Sequence, residues 1–313
     1  MSTESFVGID VSKDHLDVHV RPAGTARRFD NTDAGLRALV KFLAPVAPTL
    51  VALEATGAYS RAVVAALAAD RHPLVVLNPA RARQFAQALG RLAKTDAVDA
   101  AVLAEYADRV RPTPRPLPDA DTLRLQALVA RRRQVVEFRA MDANRDDAAD
   151  DRAVKRSLSA LERAFDKELE RLDKDIAAAV EASPTWREKD ELLQSIPGIG
   201  PVVSRTLLAD LPELGTLTRE QVGALVGVAP MNRDSGRQHG RRAIRGGRAS
   251  VRAVVDMGAM SARVHNPALK AFADRLKAAG KAGQVVITAV ARKLVVIANA
   301  ILQTKTPWQP QVA

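Results

Sequence analysis

The stretch FVGIDVSKDHLDVHV begins as an apolar run suited to a buried sheet, then carries two carboxylates, Asp10 and Asp14, around the end of that run. Residues 6–10, residues 15–20 and the return through 27–30 read as a strand meander, and 33–43 reads as a helix. TLVALEA and PLVVLN are short Val- and Leu-rich runs separated by the helix-like RAVVAALAAD, the pattern of a βαβ unit with buried parallel strands. The Pro-rich RPTPRPLP at 111–118 cannot continue a helix and marks a linker. From 119 to about 183 the chain is charged and almost free of Gly and Pro, and Leu158, Leu161, Phe165, Leu169, Leu172, Ile176 and Ala179 follow steps of three and four. That spacing fits either a coiled-coil seam or an amphipathic helix packed on its own domain. The helix before it carries Leu125, Leu128, Val135 and Phe138, and ANRDDAADDRA is either a polar helical stretch or the turn between the two. After Pro184 the chain is helical again, interrupted by Gly-rich loops, and no repeat of solenoid period occurs. The expected organisation is an α/β domain over 1–112, a linker over 113–118, a helical segment over 119–184 and a mainly α domain over 185–313.

Composition narrows the partners. At 313 residues with 47% hydrophobic content the chain can bury a substantial core. It has no cysteine, which excludes disulfides and thiolate metal sites and is compatible with a reducing cytoplasm. The start MSTESFVGID lacks the basic and apolar segments of a secretory signal, and no apolar run reaches about 18 residues, so the expectation is a soluble, cytoplasmic protein with no membrane partner. Lys and Arg outnumber Asp and Glu by 47 to 36, a formal charge of +11. Nucleic acid is the leading candidate for a polyanionic partner.

Four carboxylates stand where chemistry on a phosphate would need them. Asp10 ends the first strand, Glu54 ends the TLVALEA strand, and Asp96 and Asp99 are three apart in the helical KTDAVDAAVLAEYA. Strands ending at one sheet edge can bring Asp10 and Glu54 together, and residues three apart share a helix face. Carboxylates that close repel and raise one another's pKa unless a cation neutralises them, and Mg²⁺, with Mn²⁺ as a substitute, takes such oxygen ligands and assists phosphoryl transfer. Singly, each has a plainer role: Asp10 as a turn residue, Glu54 as a solvated strand end, Asp96 in a helix cap. Asp14 and Asp17 read as solvated strand residues.

Two loops later in the chain suit phosphates. SIPGIGPVVSRTLLADL joins a Pro-Gly-x-Gly turn to a helix, the arrangement of a helix-hairpin-helix motif, in which Gly198 and Gly200 let backbone amides approach a phosphate; the alternative is a plain helix-helix turn. In GVAPMNRDSGRQHGRRAIRGGRASVRAVV, Arg233, Arg237, Arg241, Arg242, Arg245, Arg248 and Arg252 crowd a stretch whose only acid is Asp234, which suits a nucleic-acid backbone. Within it lies Ser235, on residue chemistry alone a turn residue or a nucleophile in need of activation. His239 reads as a proton carrier, a phosphate contact or a surface residue. Aromatics make up 4% of the chain, and no base-stacking platform is visible in the sequence.

GIDVSKDHLDVHV, ALEATGAYS and KTDAVDAAVLAEYA resemble the RuvC-like (RNase H-like) catalytic domain of the DEDD-type insertion-sequence transposases, the insertion-sequence one-ten family, whose relatives include the Piv-type DNA invertases. SIPGIGPVVSRTLLADL, GVAPMNRDSG, GGRASVRAVVDMGAMSARVHNPALKAFADRL and GKAGQVVITAVARKLVVIANAIL resemble its C-terminal domain. The resemblance implies that Asp10, Glu54, Asp96 and Asp99 are the acidic tetrad that holds Mg²⁺, and that Ser235 is the catalytic serine. It further implies a recombinase guided by a structured (bridge) RNA that pairs with donor and target DNA. Strand exchange would pass through a covalent phosphoserine, in homodimers or homotetramers assembled through the helical middle. ANRDDAADDRA is more acidic, and QHGRRAIRGG more Arg-rich, than the family pattern.

Three rivals remain at this point. An actin-like kinase shares the strand with Gly-Ile-Asp but needs a second strand-borne phosphate loop, and the half after Pro118 shows none. A non-enzymatic nucleic-acid binder has no use for clustered carboxylates that repel its ligand. A two-metal RuvC-type junction nuclease that uses water as the nucleophile is the nearest alternative.

Overall fold

The computed structural model describes residues 4–310 except 58, 92–95, 115–117, 149, 233, 236–237 and 241, and leaves out the side chains of 96–98, 146–148, 234–235 and 238–239. The chain divides into two compact units, residues 1–117 and 118–313.

The first unit is α/β. Its elements are β1 (Phe6–Val11), β2 (His15–Arg21), β3 (Thr25–Asp30), α1 (Asp33–Leu43), β4 (Leu50–Glu54), α2 (Ser60–Ala69), β5 (Leu74–Leu77), α3 (Pro79–Ala88) and α4 (Asp96–Val110). The strands form one sheet in the order β3-β2-β1-β4-β5; β1, β2 and β3 are an antiparallel meander, and β4 and β5 run parallel to β1. This is the expected mixed α/β sheet, with the βαβ unit where the two Val- and Leu-rich runs fall. Strand residues alternate between faces. Val7, Ile9 and Val11 of β1 join Leu16, Val18 and Val20 of β2 in a core with Leu36, Leu39 and Leu43 of α1 and Val63 and Leu67 of α2. Thr32 caps α1 by accepting from the Gly35 amide, and Asp33 adds a favourable charge in the first turn.

The opposite face carries α4. Phe6, Leu50, Ala52 and Leu77 of the strands pack on Leu103, Tyr106 and Ala107. Gly8 makes the close approach possible: a Cβ there would overlap the Ala100 carbonyl and the Ala104 amide. Passing from Phe6 to Gly8 along β1 therefore moves from the last turns of α4 toward its first, so β1 ends beside the start of the helix.

The second unit is helical: α5 (Ala120–Ala148), α6 (Arg152–Glu181), α7 (Pro184–Gln194), α8 (Pro201–Asp210), α9 (Arg219–Val226), α10 (Ala249–His265), α11 (Pro267–Ala278) and α12 (Gly283–Thr304). Between α9 and α10 lie four two-residue strands, β6 (Pro230–Met231), β7 (Asp234–Ser235), β8 (Gln238–His239) and β9 (Ala243–Ile244). α5 and α6 form an antiparallel hairpin, stitched by Arg132 to Asp173 at 2.6 Å and by Arg139 to Asp166 at 3.0 Å. ANRDDAADDRA is both things the sequence left open: its start is the end of α5, and Asp151 caps α6 by accepting from the amides of Ala153 and Val154. The apolar stripe of α6 buries Leu172, Ile176 and Val180, and Ile176 and Val180 cluster with Leu125, Val129 and Ala209. Toward the far end of the hairpin the stripe is uncovered, with Val136, Phe138, Met141, Val154 and Leu161 all 40–48% exposed.

α12 is long and apolar enough, by length and composition, to cross a membrane. Here it is the central core helix: Val286, Val290, Leu294, Val295, Ala298 and Ile301 are buried against α8, α9, α10 and α11 residues such as Leu207, Val222, Val255 and Leu269.

Candidate functional site

The acidic edge lies in the first unit. β1 and β4 are parallel with Ile9 opposite Leu53, so Asp10 and Glu54 stand one position further along both strands, side by side at the same edge. Both fall on the face that carries α4, since Val7, Ile9 and Val11 point the other way. Asp99 precedes the sheet-facing Ala100 and lies one turn before Leu103, so the stripe that packs α4 on the sheet runs on into the carboxylate at its start. Asp10, Glu54 and Asp99 are each partly buried, and each has a polar or electrostatic partner. Asp96 opens α4, and its side chain lies outside the described residues. Among the described residues no three His, Asp or Glu side chains are close enough to enclose an ion. Chemically the donor set is all oxygen, which fits a hard cation such as Mg²⁺.

A further acid, which no motif singled out, ties α4 to the sheet. Glu105 on α4 is 4% exposed and is gripped by Arg109 at 2.8 Å, Arg91 at 3.0 Å and Arg21 at 3.8 Å. Arg21 also pairs with Asp108 at 3.2 Å, tying α4 to β2. Periodicity could have flagged it, because Glu105 interrupts the apolar AVLAEYA where a bare charge would be costly. Asp17 corrects the expectation of a solvated strand residue: it is 9% exposed and held by a two-pronged ion pair with Arg28, both contacts 2.9 Å. On the same face His19 has its pKa lowered, first by burial and then by Arg21 and Arg91. Asp14 is exposed.

Ser235 belongs to the second unit and stands on a two-tier ribbon. β6 pairs antiparallel with β9, Pro230 opposite Ile244 and Met231 opposite Ala243; nested inside, β7 pairs with β8, Asp234 opposite His239 and Ser235 opposite Gln238. Ser235 and Gln238 are the innermost described pair, so the serine ends the inner arm of the ribbon. The side chains of Ser235 and His239, and Arg233, Arg237 and Arg241 entirely, lie outside the described residues. Arg242 and Arg245 are exposed.

Arg248 and Arg252, expected to bind nucleic acid, both make contacts within the protein. Arg248 makes a two-pronged pair with Glu213, both contacts 2.7 Å, and donates to the Asp210 carbonyl at 2.8 Å. Arg252 donates to the carbonyls of Gly246 at 2.6 Å and Gly227 at 3.4 Å, the two ends of the ribbon segment. At that point Gly227 and Gly247, both at positive φ, touch backbone to backbone with no room for a Cβ. The two arginines therefore close the base of the ribbon. Burial of Asp210 pushes its pKa up, with Arg133 and Arg248 pulling it back down.

The Pro-Gly-x-Gly turn joins α7 to α8 as a helix-hairpin-helix does. Gly198, at φ +106°, is consumed by packing, since a Cβ there would overlap Ala262 of α10. Gly200 is exposed and caps α8 with open space around it. Below the turn, buried Asp190 accepts from Ser204 and pairs with Arg205.

Comparison with known proteins places the chain. Residues 7–149 match the IS110-type DEDD transposase domain, and residues 190–274 match the transposase IS116/IS110/IS902 family. The pilin gene-inverting protein of Moraxella bovis is 25% identical over 321 residues, covering 99% of both chains, and its Moraxella lacunata counterpart is equally similar. An IS110 insertion-element protein of Streptomyces coelicolor is 28% identical over 144 residues, 45% of this chain and 34% of that one. Among solved structures, T. thermophilus RuvC in complex with Holliday junction substrate aligns to 37% of this chain and all of its own at 18% identity and a TM-score of 0.27. With transposase domains matched in both units, the chain is an enzyme of the DNA transposase and recombinase class. It belongs to the IS110 transposase family.

Proposed function

We propose that the protein is an RNA-guided DNA recombinase that exchanges strands between donor and target DNA through a serine-phosphate intermediate. The observation that supports the reading is the presence of two chemistries on separate supports: carboxylates at the neighbouring ends of β1 and β4 and at the start of α4, and a serine at the inner end of a short ribbon in an arginine-rich stretch. The Ser235 hydroxyl attacks a DNA phosphorus, the bond to the departing sugar oxygen breaks, and the phosphate stays ester-linked to the serine until a new strand end displaces it. The serine proton leaves to a base, and the released sugar oxygen takes up a proton. Arg242 and Arg245, with the neighbouring Arg233, Arg237 and Arg241, hold backbone phosphates and offset the charge that develops.

Asp10, Glu54, Asp96 and Asp99 would hold Mg²⁺, which supplies electrostatic stabilisation of phosphate oxygens when bound. The DNA inversion named for the Moraxella relatives fits this reaction type. The excess of cations, +11 overall, favours two polyanions in one assembly, the DNA and a structured guide RNA. The uncovered apolar end of the α5–α6 hairpin is where we place the contact of a homodimer or homotetramer. Such an enzyme would work in the cytoplasm, on the nucleoid.

The test is denaturing electrophoresis of protein incubated with labelled DNA, guide RNA and Mg²⁺. Wild type is expected to leave a covalent protein-DNA band and Ser235→Ala to leave none, with RNA binding near normal. A band undiminished in the Ala variant removes the serine from the mechanism. DNA cleaved with no band in wild type assigns a water nucleophile at the acidic edge and makes the enzyme a RuvC-type nuclease.

A further inference from the structure

The chain has only seven Phe, two Trp and two Tyr, and two of these aromatics meet in one cleft. α11, α12 and the segment that follows α12 enclose a space of about 770 Å³ lined by Phe272 and Trp308, with an apolar floor that includes Val296 and Ile297. That volume is in the range of sites that hold a molecule the size of a nucleotide. Arg219, Arg292 and Lys293 border it, and the described residues that line it include no carboxylate. Lys293 Nζ sits 4.2 Å from the centre of the Phe272 ring, and Arg275 approaches the same ring at 5.6 Å. Among the described residues neither Arg292 nor Lys293 has an ion-pair partner, and Arg219 has only the exposed Glu220 at 3.7 Å. Unneutralised cations beside aromatic surface are what a nucleotide needs, the rings for its base and the cations for its phosphates.

The wall is built rather than loose. Lys305 breaks α12 in the left-handed conformation, and the chain turns back so that the Trp308 amide donates to Ser195 Oγ at 2.9 Å while the indole packs on the core. Thr304 donates its hydroxyl hydrogen to the Ala300 carbonyl at 3.0 Å, and Thr306 donates to the Thr304 carbonyl at 3.1 Å. Both hydroxyl oxygens are left to accept. Gln309 adds an amide that can both donate and accept at the same mouth.

We propose that this cleft binds one unpaired nucleotide of a single-stranded RNA, its base against Trp308 and its flanking phosphates on Arg292, Lys293 and Arg219. The proposal rests on the nucleic-acid reading above and adds a subsite to it. RNA is favoured because its loops and bulges present unstacked bases permanently, whereas duplex DNA must first be opened. Acceptor oxygens at the mouth also suit a ribose 2′-hydroxyl.

Trp186 and Trp308 are the only tryptophans, so full-length Trp186→Phe protein reports on Trp308 alone. Its fluorescence would be titrated with a 12-mer of oligo(U), a 12-mer of oligo(dT), heparin and poly-glutamate, with binding followed in parallel by gel shift or filter retention. Expected are quenching by oligo(U), weaker quenching by oligo(dT), and none by heparin even where heparin binds. In the same background Lys293→Glu, on the exposed rim, and Gln309→Ala are expected to weaken the quenching titration with oligo(U) about tenfold and a few-fold. Equal quenching by oligo(dT) overturns the assignment to RNA. Quenching by heparin or poly-glutamate overturns the base subsite, the latter in favour of an acidic protein partner. Binding of oligo(U) without quenching sinks this proposal alone, whereas failure to bind any nucleic acid sinks it together with the recombinase reading.

Discussion

The acidic edge and the serine ribbon achieve position by opposite means. Asp10 and Glu54 are placed by β1 and β4, which are buried on both faces, and Asp99 by a helix pressed onto Gly8. Among the described residues the ribbon has two pairs in each ladder, exposed residues at β6 and β9, and anchoring contacts at its base from Arg252, Arg248 and the approach of Gly227 to Gly247. A carboxylate site that must hold several like charges at fixed spacing needs a stiff frame. On the proposed mechanism, a serine that becomes bonded to DNA and is later released is better served by a short arm on a firm base. The arginines differ between the regions: around Glu105 they neutralise a buried carboxylate from the surface, at the ribbon base they bind backbone carbonyls and Glu213, and at Arg242 and Arg245 they are exposed.

The comparison can be broken at either end. The largest effect is expected at the stiff frame: Asp10→Asn or Asp99→Asn should lower Mg²⁺-dependent strand exchange by roughly a thousandfold or more, with the melting temperature within a few degrees of wild type. Full activity in either variant would falsify the metal role. Next, Glu105→Gln leaves three guanidinium groups around a neutral amide and should cost about 3 kcal/mol of stability, seen as a lower urea midpoint. Unchanged stability would show that α4 is placed by apolar packing alone.

At the ribbon base, Arg252→Ala should reduce the covalent adduct about tenfold, of the order expected from losing charge-assisted hydrogen bonds. Partial rescue by Arg252→Lys and an unchanged salt dependence of DNA binding would separate a positioning role from phosphate contact; a flatter salt dependence would return Arg252 to the DNA.

The smallest effect concerns His19. Its folded pKa lies below the ordinary 6.5, so as pH falls through about 6.5 the unfolded chain takes up a proton that the folded chain resists. Stability contributed by the neutral ring is present above that pH and declines below it. His19→Gln should flatten the thermal stability profile between pH 7 and 5, and an identical profile would mean that the ring is solvated in both states.

Much of the first unit could be read in advance because its signals are local. Short Val- and Leu-rich runs around RAVVAALAAD can only be a buried βαβ unit, and carboxylates that end such runs fall at one edge wherever the strands align. Asp17 and Glu105 escaped because their partners, Arg28 in one case and Arg21, Arg91 and Arg109 in the other, are set by cross-strand and helix-sheet registers that no window of sequence contains. The contacts of Arg248 and Arg252 escaped for a related reason: seven arginines in one stretch look alike until the fold decides which meet a carbonyl or a carboxylate.

Residue order alone determined the α/β start, the helical remainder, the family, and the presence of an acid set and a serine among arginines. Tertiary structure alone decided which charges are spent inside the protein, that Gly198 is taken up by the contact with Ala262, and that Phe272 and Trp308 share a cleft. The division has one physical cause. Secondary-structure period and turn chemistry act over a few neighbouring residues, whereas desolvation, ion pairing and shape belong to groups that are neighbours only after the chain has closed on itself.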